Sequence, residues 1–208
     1  MAEQFWHNRI TDKSFDFLQD LKRKFDFVLI GGWAVYAYTR SLKSKDIDII
    51  VDFDELSRFR LFFDVTKNER LKKYEIQTGN FDVDIYVPHW SELGLPLDFV
   101  VKNSVVREGF MVPRVEILLA LKLFVYSQRK PSLKGKKDLI DTISILYHGK
   151  IHFAEFASIL KEFNLTNLIL ELEEILKTTF EVKELSMNQK KFSDFKKPIL
   201  QELKKLVF

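Results

Sequence analysis

Two short stretches of the sequence combine residue types that bind phosphate groups and metal ions. Gly31 and Gly32 follow an apolar run, and Asp46 and Asp48 come after a spacer of thirteen residues, 33–45. Two glycines at the end of a strand allow a tight turn and a close approach of the backbone to a bulky anion. A helix that begins at such a turn presents N–H groups and the positive end of its dipole to that anion. The glycines therefore predict a phosphate-binding turn.

Asp46 and Asp48 lie in a segment, 46–51, whose alternation is typical of a β-strand. Residues two apart on a strand face the same side, with Cα atoms roughly 6–7 Å apart. Two carboxylates so placed can hold two Mg²⁺ ions about 3.5–4 Å apart, the separation used for phosphoryl transfer. Either stretch alone is also typical of an ordinary turn or of a solvated strand face. Their order and spacing favour a two-ion site in which Asp46 and Asp48 are ligands of Mg²⁺, with Mn²⁺ as a substitute.

The order Ile30-Gly31-Gly32, spacer, Asp46-Ile47-Asp48-Ile49 resembles the signature of the nucleotidyltransferase superfamily of the DNA polymerase β type. The resemblance covers residues 26–87. It implies transfer of a nucleoside monophosphate from an NTP to a hydroxyl, with release of pyrophosphate. It also implies that Gly31 and Gly32 bind nucleotide and that Asp46 and Asp48 are catalytic.

A third carboxylate on a later strand belongs to the same resemblance. Segments 73–78 and 81–87 flank Gly79-Asn80, which predicts a hairpin with a two-residue turn. Asp82 and Asp84 share one face of its second strand. We expect Asp84 to be the third catalytic and metal-binding residue, and Asp82 is the alternative. A plain polar face of an edge strand is the interpretation without function.

The second half of the chain carries a further resemblance, to the helical part of the AbiEii-type toxin nucleotidyltransferases. Those proteins have a lysine in a leucine-rich helix and then a Lys-Asp-x-x-Asp motif that opens the next helix. Here the corresponding segments are 115–123, which contains Lys122, and 136–141. The serine of that family's glycine turn is replaced by Gly32, which removes one hydroxyl contact to phosphate.

This second resemblance implies that Lys122, Lys137 and Asp138 bind the nucleotide. It also implies a toxin that modifies tRNA or a protein and that pairs with an antitoxin protein. Lys122 is the only charged residue between Glu116 and Arg129, so its helix is apolar on nearly all sides and is expected to be buried. A buried lysine needs an anionic partner, such as a triphosphate or a carboxylate. The alternative is a lysine whose stem reaches the surface.

Composition limits the remaining classes of protein. The chain has 208 residues, is 46% hydrophobic and carries 33 basic against 30 acidic residues, a net charge of +3 that permits a nucleic-acid partner without requiring one. The absence of cysteine excludes disulfides, Cys-zinc sites and a thiol nucleophile. The longest apolar stretch, 117–126, is interrupted by Lys122 and is too short to cross a bilayer. The N-terminal segment lacks an apolar signal region. We expect a cytoplasmic protein with no membrane partner.

Pattern changes along the chain predict an α/β (α+β) region in residues 1–112 and a helical domain in 113–208, and the resemblance implies that the first is a nucleotidyltransferase core with a mixed sheet. In the core we expect helices at 11–24, 33–39 and 55–66, strands at 27–30, 46–51, 73–78 and 81–87, and short strands within 98–113. In the second half we expect helices at 115–129, 136–147, 152–162, 166–178 and 188–206, the last kinked or split at Pro198. The alternative function is a non-catalytic module of the same fold that binds a nucleotide or acts like an antitoxin.

Overall fold

The computed structural model describes residues 2–130 and 132–206, and the chain divides into two compact units. The first unit contains the residues up to 92 together with 96–114, and the second contains 93–95 and the residues from 115 onward. The sequence analysis placed the division two residues earlier, between 112 and 113. A mixed α/β core followed by helices is the architecture that was predicted, and it is confirmed.

The strands of the first unit are β1 Val28–Ile30, β2 Ile47–Ile50, β3 Thr66–Asn68, β4 Lys73–Gln77, β5 Asp82–Tyr86, β6 Ser104–Arg107 and β7 Phe110–Pro113. Five of them form a sheet in the order β1-β2-β5-β4-β3, in which only β2 and β5 run parallel. The strands β6 and β7 form a separate antiparallel pair. The helices are α1 Ala2–Lys24, α2 Gly31–Thr39, α3 Phe53–Phe62 and α4 Leu97–Lys102.

The two central strands, β2 and β5, show why the sequence forms a sheet with two different faces. Ile47 and Ile49 of β2, and Val83 and Ile85 of β5, are fully buried. Because side chains alternate along a strand, the residues between them point to the opposite face. The apolar face therefore belongs to the core of the first unit, and the carboxylates lie on the other face.

The hairpin between β4 and β5 has the predicted turn. The Thr78 N–H donates to the Phe81 carbonyl at 3.1 Å, so Gly79 and Asn80 are the two turn residues. Gly79 has φ +83°, a left-handed conformation that glycine adopts without a steric cost. This turn fixes the register of β4 and β5: Gln77 pairs with Asp82, and the residues further from the turn pair in the same register.

Two elements differ from the sequence predictions. Residues 97–102 form the helix α4. Short strands were expected there because the run Leu97-Asp98-Phe99-Val100-Val101 is rich in residues that favour strands. The short edge strand β3 was not predicted, since its residues Thr66–Asn68 are polar and show no apolar alternation. The expected short strands after 102 are present as β6 and β7.

The second unit is helical. Its elements are α5 Val115–Arg129, α6 Leu133–His148, α7 Phe153–Glu162, α8 Asn167–Thr178, a 3₁₀ turn Lys183–Leu185 and α9 Gln189–Lys205. Helix α9 is continuous through Pro198, so the predicted split is absent. Buried side chains on both sides of the proline, Phe192, Ile199 and Leu203, hold the helix together across the missing hydrogen bond. In the described residues, no helix has both the length and the apolar character needed to cross a membrane.

Candidate active site

Asp48 and Asp84 come together because β2 and β5 pair in parallel. The two residues are direct partners in the register, so their side chains lie side by side on the polar face of the sheet. Asp84 is largely buried, with 14% of its side chain exposed. Two carboxylates are thus adjacent at the centre of the sheet.

Gly31 closes one side of this pair. Ile30, the last residue of β1, is the partner of Asp48 on the other edge of β2, and Gly31 follows it with φ +64°. A Cβ atom at Gly31 would lie 2.6 Å from the Asp48 Cγ and would overlap the carboxylate itself. Only glycine fits at this position. The glycine turn and the Asp48 carboxylate, which were predicted separately from the sequence, are therefore in direct contact.

The N-terminus of α2 lies at the same turn. In the described structure no side chain caps it, because the preceding residue is Ile30, and its first turn contains no acidic residue. Gly32 is buried in that first turn. Trp33 belongs to the core, where its Nε1 donates to the Ser14 Oγ at 3.0 Å. The positive end of the α2 dipole is therefore not neutralised by the helix's own residues.

A lysine that the sequence analysis missed holds Asp84 in place. The Lys73 Nζ on β4 lies 2.7 Å from the Asp84 Oδ2 and 2.8 Å from the Glu75 Oε1. Asn68 donates to the same Glu75 oxygen at 3.1 Å. We call Asp48, Asp84, Lys73 and Glu75 the carboxylate cluster. The alternating charges of β4 and the two-residue turn contained the signal, because the hairpin register places Glu75 opposite Asp84.

The electrostatics of the carboxylate cluster are unusual. Burial, together with the negative charge of Asp48, raises the pKa of Asp84 to about 7, although the hydrogen bond from Lys73 opposes this rise. Burial alone would lower the pKa of Lys73, but its hydrogen bonds to Asp84 and Glu75 outweigh that effect and raise it. The Asp84 Oδ1 is buried and has no hydrogen-bond partner within the described residues. One carboxylate oxygen is thus left unsatisfied beside a second carboxylate.

Asp46 and Asp82 lie further toward the start of the same two strands. The Asp82 N–H donates to the Asp46 Oδ1 at 3.2 Å, and the Asp82 side chain is exposed. Within residues 2–130 and 132–206, no three acidic or histidine side chains are gathered closely enough to hold one metal ion. The structure therefore pairs Asp48 with Asp84 and leaves Asp46 in a different contact.

The other predicted nucleotide-binding residues belong to the second unit. The Lys122 Nζ lies 2.7 Å from the Asp141 Oδ2 and 3.4 Å from the Asp138 Oδ1, and the Arg129 Nε lies 2.6 Å from the Asp138 Oδ2. We call these four residues the α5–α6 ion network. Lys122 is buried as expected, and its anionic partners are these two carboxylates. Lys137 is partly buried on α6. Nucleotide binding by Lys122, Lys137 and Asp138 stays a prediction.

Comparison with known proteins identifies the fold. No protein-family model and no curated protein matches the chain. Among solved structures, the chain resembles a protein from H. pylori that is assigned to the nucleotidyltransferases, with a TM-score of 0.52 and 18% identity over 95% of this chain and 96% of that one. It also resembles JHP933 from Helicobacter pylori, with a TM-score of 0.52 and 18% identity over 94% and 93% of the two chains. The chain therefore has a nucleotidyltransferase-like fold.

Proposed function

We propose that this protein is a Mg²⁺-dependent nucleotidyltransferase that transfers a nucleoside monophosphate from an NTP to a hydroxyl of RNA or of a protein. The observation that carries the proposal is the contact of three features: the Asp48–Asp84 pair, the Gly31 turn and the uncapped start of α2. Carboxylates beside a backbone anion site are what a reaction on a metal-bound triphosphate needs.

The chemistry of the site supports a divalent cation. Carboxylate oxygens are the ligands that Mg²⁺ prefers, and the buried Asp84 Oδ1 has no protein donor in the described structure. In the proposal, Asp46, Asp48 and Asp84 hold Mg²⁺, with two ions at full occupancy and Mn²⁺ as a substitute. Bound Mg²⁺ would neutralise negative charge on the phosphates. Gly31 and Gly32 bind phosphate oxygens through the backbone at the start of α2.

The proposed reaction exchanges one phosphorus–oxygen bond for another. The acceptor hydroxyl oxygen forms a bond to the α-phosphorus, and the bond from that phosphorus to the bridging oxygen of the β-phosphate breaks. Pyrophosphate leaves with the electron pair of that bond. The Asp84 carboxylate helps to remove the hydroxyl proton, which then passes to solvent. Lys122 or Lys137 would neutralise charge on the pyrophosphate.

The biological role belongs to the same proposal. The resemblance of 115–123 and 136–141 to the AbiEii-type toxins supports a toxin that acts on tRNA or on a protein and is held by an antitoxin. The comparisons with solved structures support the wider fold and not this branch.

A second candidate is a module of the same fold that binds a nucleotide without turnover. One observation favours it: Asp46 accepts a hydrogen bond from the Asp82 backbone and is not gathered with Asp48 and Asp84 into one three-ligand group in the described residues. A sensor needs a nucleotide site but does not need all three carboxylates to converge.

A labelling assay tests the proposal. Purified protein is incubated with Mg²⁺, each of four α-phosphate-labelled NTPs in turn, and total cell RNA or total cell protein. The Asp46→Asn/Asp48→Asn variant is the matched control. We expect label in one fraction with one NTP, and no label with the variant.

Other outcomes of this assay separate the two candidates. Mg²⁺-dependent NTP binding without transfer would favour the sensor. Transfer that persists in the variant would overturn the assignment of the carboxylates.

A further inference from the structure

A cluster of cations and aromatic rings lies at the β3 edge of the five-stranded sheet. The Lys67 Nζ is 4.8 Å from the centre of the Trp90 ring and the Lys72 Nζ is 5.9 Å from it. The Tyr74 ring lies 4.8 Å from the Trp90 ring, and the Arg60 guanidinium is 5.3 Å from the Tyr74 ring. We call these five residues the Trp90 patch.

The patch carries a surplus of positive charge at an exposed position. Arg60 and Lys67 are exposed, Lys72 and Trp90 are half-buried, and Tyr74 is buried. Glu69 forms an ion pair with Lys67 at 2.6 Å and is the one acid in these contacts. Arg60 and Lys67 are close enough for their charges to repel each other, which works against the raised pKa of Lys67. Three cations held around two rings form a surface suited to an anion that also has a flat apolar face.

We propose that the Trp90 patch binds single-stranded nucleic acid. Phosphates attract the three cations, and a base stacks on the Trp90 ring, a combination found in surfaces that bind single strands. The lysine ammonium groups sit on long flexible stems, so they can move from the ring to neighbouring phosphates and uncover the ring for a base. An acidic peptide would satisfy the cations but has no planar group for the indole.

The patch and the carboxylate cluster share strand β4. Tyr74 pairs with Ile85 and points to the apolar face, whereas its neighbours Lys73 and Glu75 point to the carboxylate face. The patch therefore lies on the face of the sheet opposite to the carboxylates, with Lys67 paired to Tyr74 on that same face. Binding of nucleic acid to the patch needs neither NTP nor metal. The inference rests on the proposed function only if the bound nucleic acid is also the acceptor of the transfer reaction.

A binding experiment tests the patch without any transfer reaction. Labelled oligo(U) and oligo(dT) of roughly 12 nucleotides, a length within the usual range of such sites, are titrated with protein in EDTA, and anisotropy is followed at several salt concentrations. The variants are Lys67→Gln/Lys72→Gln and, as a control with the same charge change on α9, Lys190→Gln/Lys204→Gln. Trp90→Leu removes the ring and Trp90→Phe keeps one. Thermal melting verifies that each variant folds.

We expect the wild type to bind, with affinity that falls steeply with salt. The Lys67→Gln/Lys72→Gln variant should bind at least about tenfold more weakly. The slope of the logarithm of the binding constant against the logarithm of the salt concentration should become shallower by about 1.4, because each of the two lost phosphate contacts contributes ~0.7. Trp90→Leu should weaken binding about tenfold, and Trp90→Phe should restore most of it.

Three results would overturn the inference: no binding by the wild type, equal weakening by the α9 control, or an unchanged salt slope in the patch variant. Preference for oligo(U) over oligo(dT) identifies RNA as the ligand, and the reverse preference identifies DNA. Because the titration contains EDTA and no NTP, failure of the proposed transfer reaction does not change how the result for the patch is interpreted.

Discussion

The two buried ion clusters of this protein differ in their balance of charge. In the carboxylate cluster, Lys73 pairs with Asp84 and Glu75, Asp48 lies beside Asp84, and one oxygen of Asp84 has no hydrogen-bond partner in the described structure. In the α5–α6 ion network, two cations meet two carboxylates, and both oxygens of Asp138 are bonded. Among these residues, the first cluster has one cation for three carboxylates and the second has two cations for two carboxylates.

This difference bears on which of the two clusters favours a cation from outside the protein. A balanced buried network satisfies its own members and has no need for a ligand, whereas an unbalanced one is stabilised by a cation from outside. Lys73 and Lys122 are both buried, and each lies beside an aspartate. The sequence analysis singled out Lys122, and the charge balance points to the cluster around Lys73.

The largest expected effect is the loss of transfer activity in Asp84→Asn. Removing a positioned acid–base group typically costs about 10²- to 10⁴-fold in rate. The melting temperature should not fall, since asparagine keeps the shape and removes repulsion with Asp48. Labelled-NTP transfer and thermal melting measure the two effects. Asp82→Asn, two residues away on the same face and exposed, is the control and should keep its activity; equal loss in both variants would contradict the comparison.

The second effect is on stability. Lys122→Met leaves Asp138 and Asp141 buried with one cation fewer, which should lower the free energy of unfolding by about 3–5 kcal/mol. Urea denaturation measures the change. Lys130→Met, which removes a partly exposed lysine paired with acids on α8, should cost less than about 1 kcal/mol. If Lys122→Met unfolds at the wild-type midpoint, the network does not stabilise the second unit.

A smaller effect is expected at the glycine turn. Gly31→Ala and Gly79→Ala both place a Cβ on a left-handed backbone, at about 1–2 kcal/mol each. At Gly79 the Cβ meets nothing within 4 Å, but at Gly31 it overlaps Asp48. Gly31→Ala should therefore melt lower than Gly79→Ala and lose about 100-fold in transfer through misplacement of the carboxylate. Identical melting and transfer in the two variants would show that the overlap is relieved without moving Asp48.

The smallest effect is on pH dependence. Because the pKa of Asp84 is raised to about 7, a proton competes with Mg²⁺ below that pH. Mg²⁺ affinity, measured by calorimetry, should fall about fivefold from pH 7 to pH 6, approach a fall of about tenfold per pH unit below pH 6, and level off above pH 8. Asp84→Asn should remove this dependence. The folded chain holds a proton that the unfolded chain releases, so this group makes stability fall as pH rises from about 4 to 7.

The parts of the site that could be predicted are those carried by local pattern. The glycine turn, the strand of Asp48 and the hairpin of Asp84 each follow from neighbouring residues, and the central sheet was foreseen for that reason. Lys73 was missed although the hairpin register could be counted from Gly79-Asn80, because charged residues on one face of a strand usually face solvent. The partners of Lys122 depend on how two helices pack, which no local pattern encodes.

The order of the strands has a consequence for how the protein is made. Strand β5 is the last of the five to leave the ribosome, yet it takes the central place, between β2 and β4. Its hairpin with β4 can close locally, but its parallel pairing with β2 must wait for a long crossover to close. A nascent chain that ends before Asp82 therefore contains the glycine turn and Asp48 but not Asp84, so the Asp48–Asp84 pair can form only after the second strand of the hairpin has been synthesised.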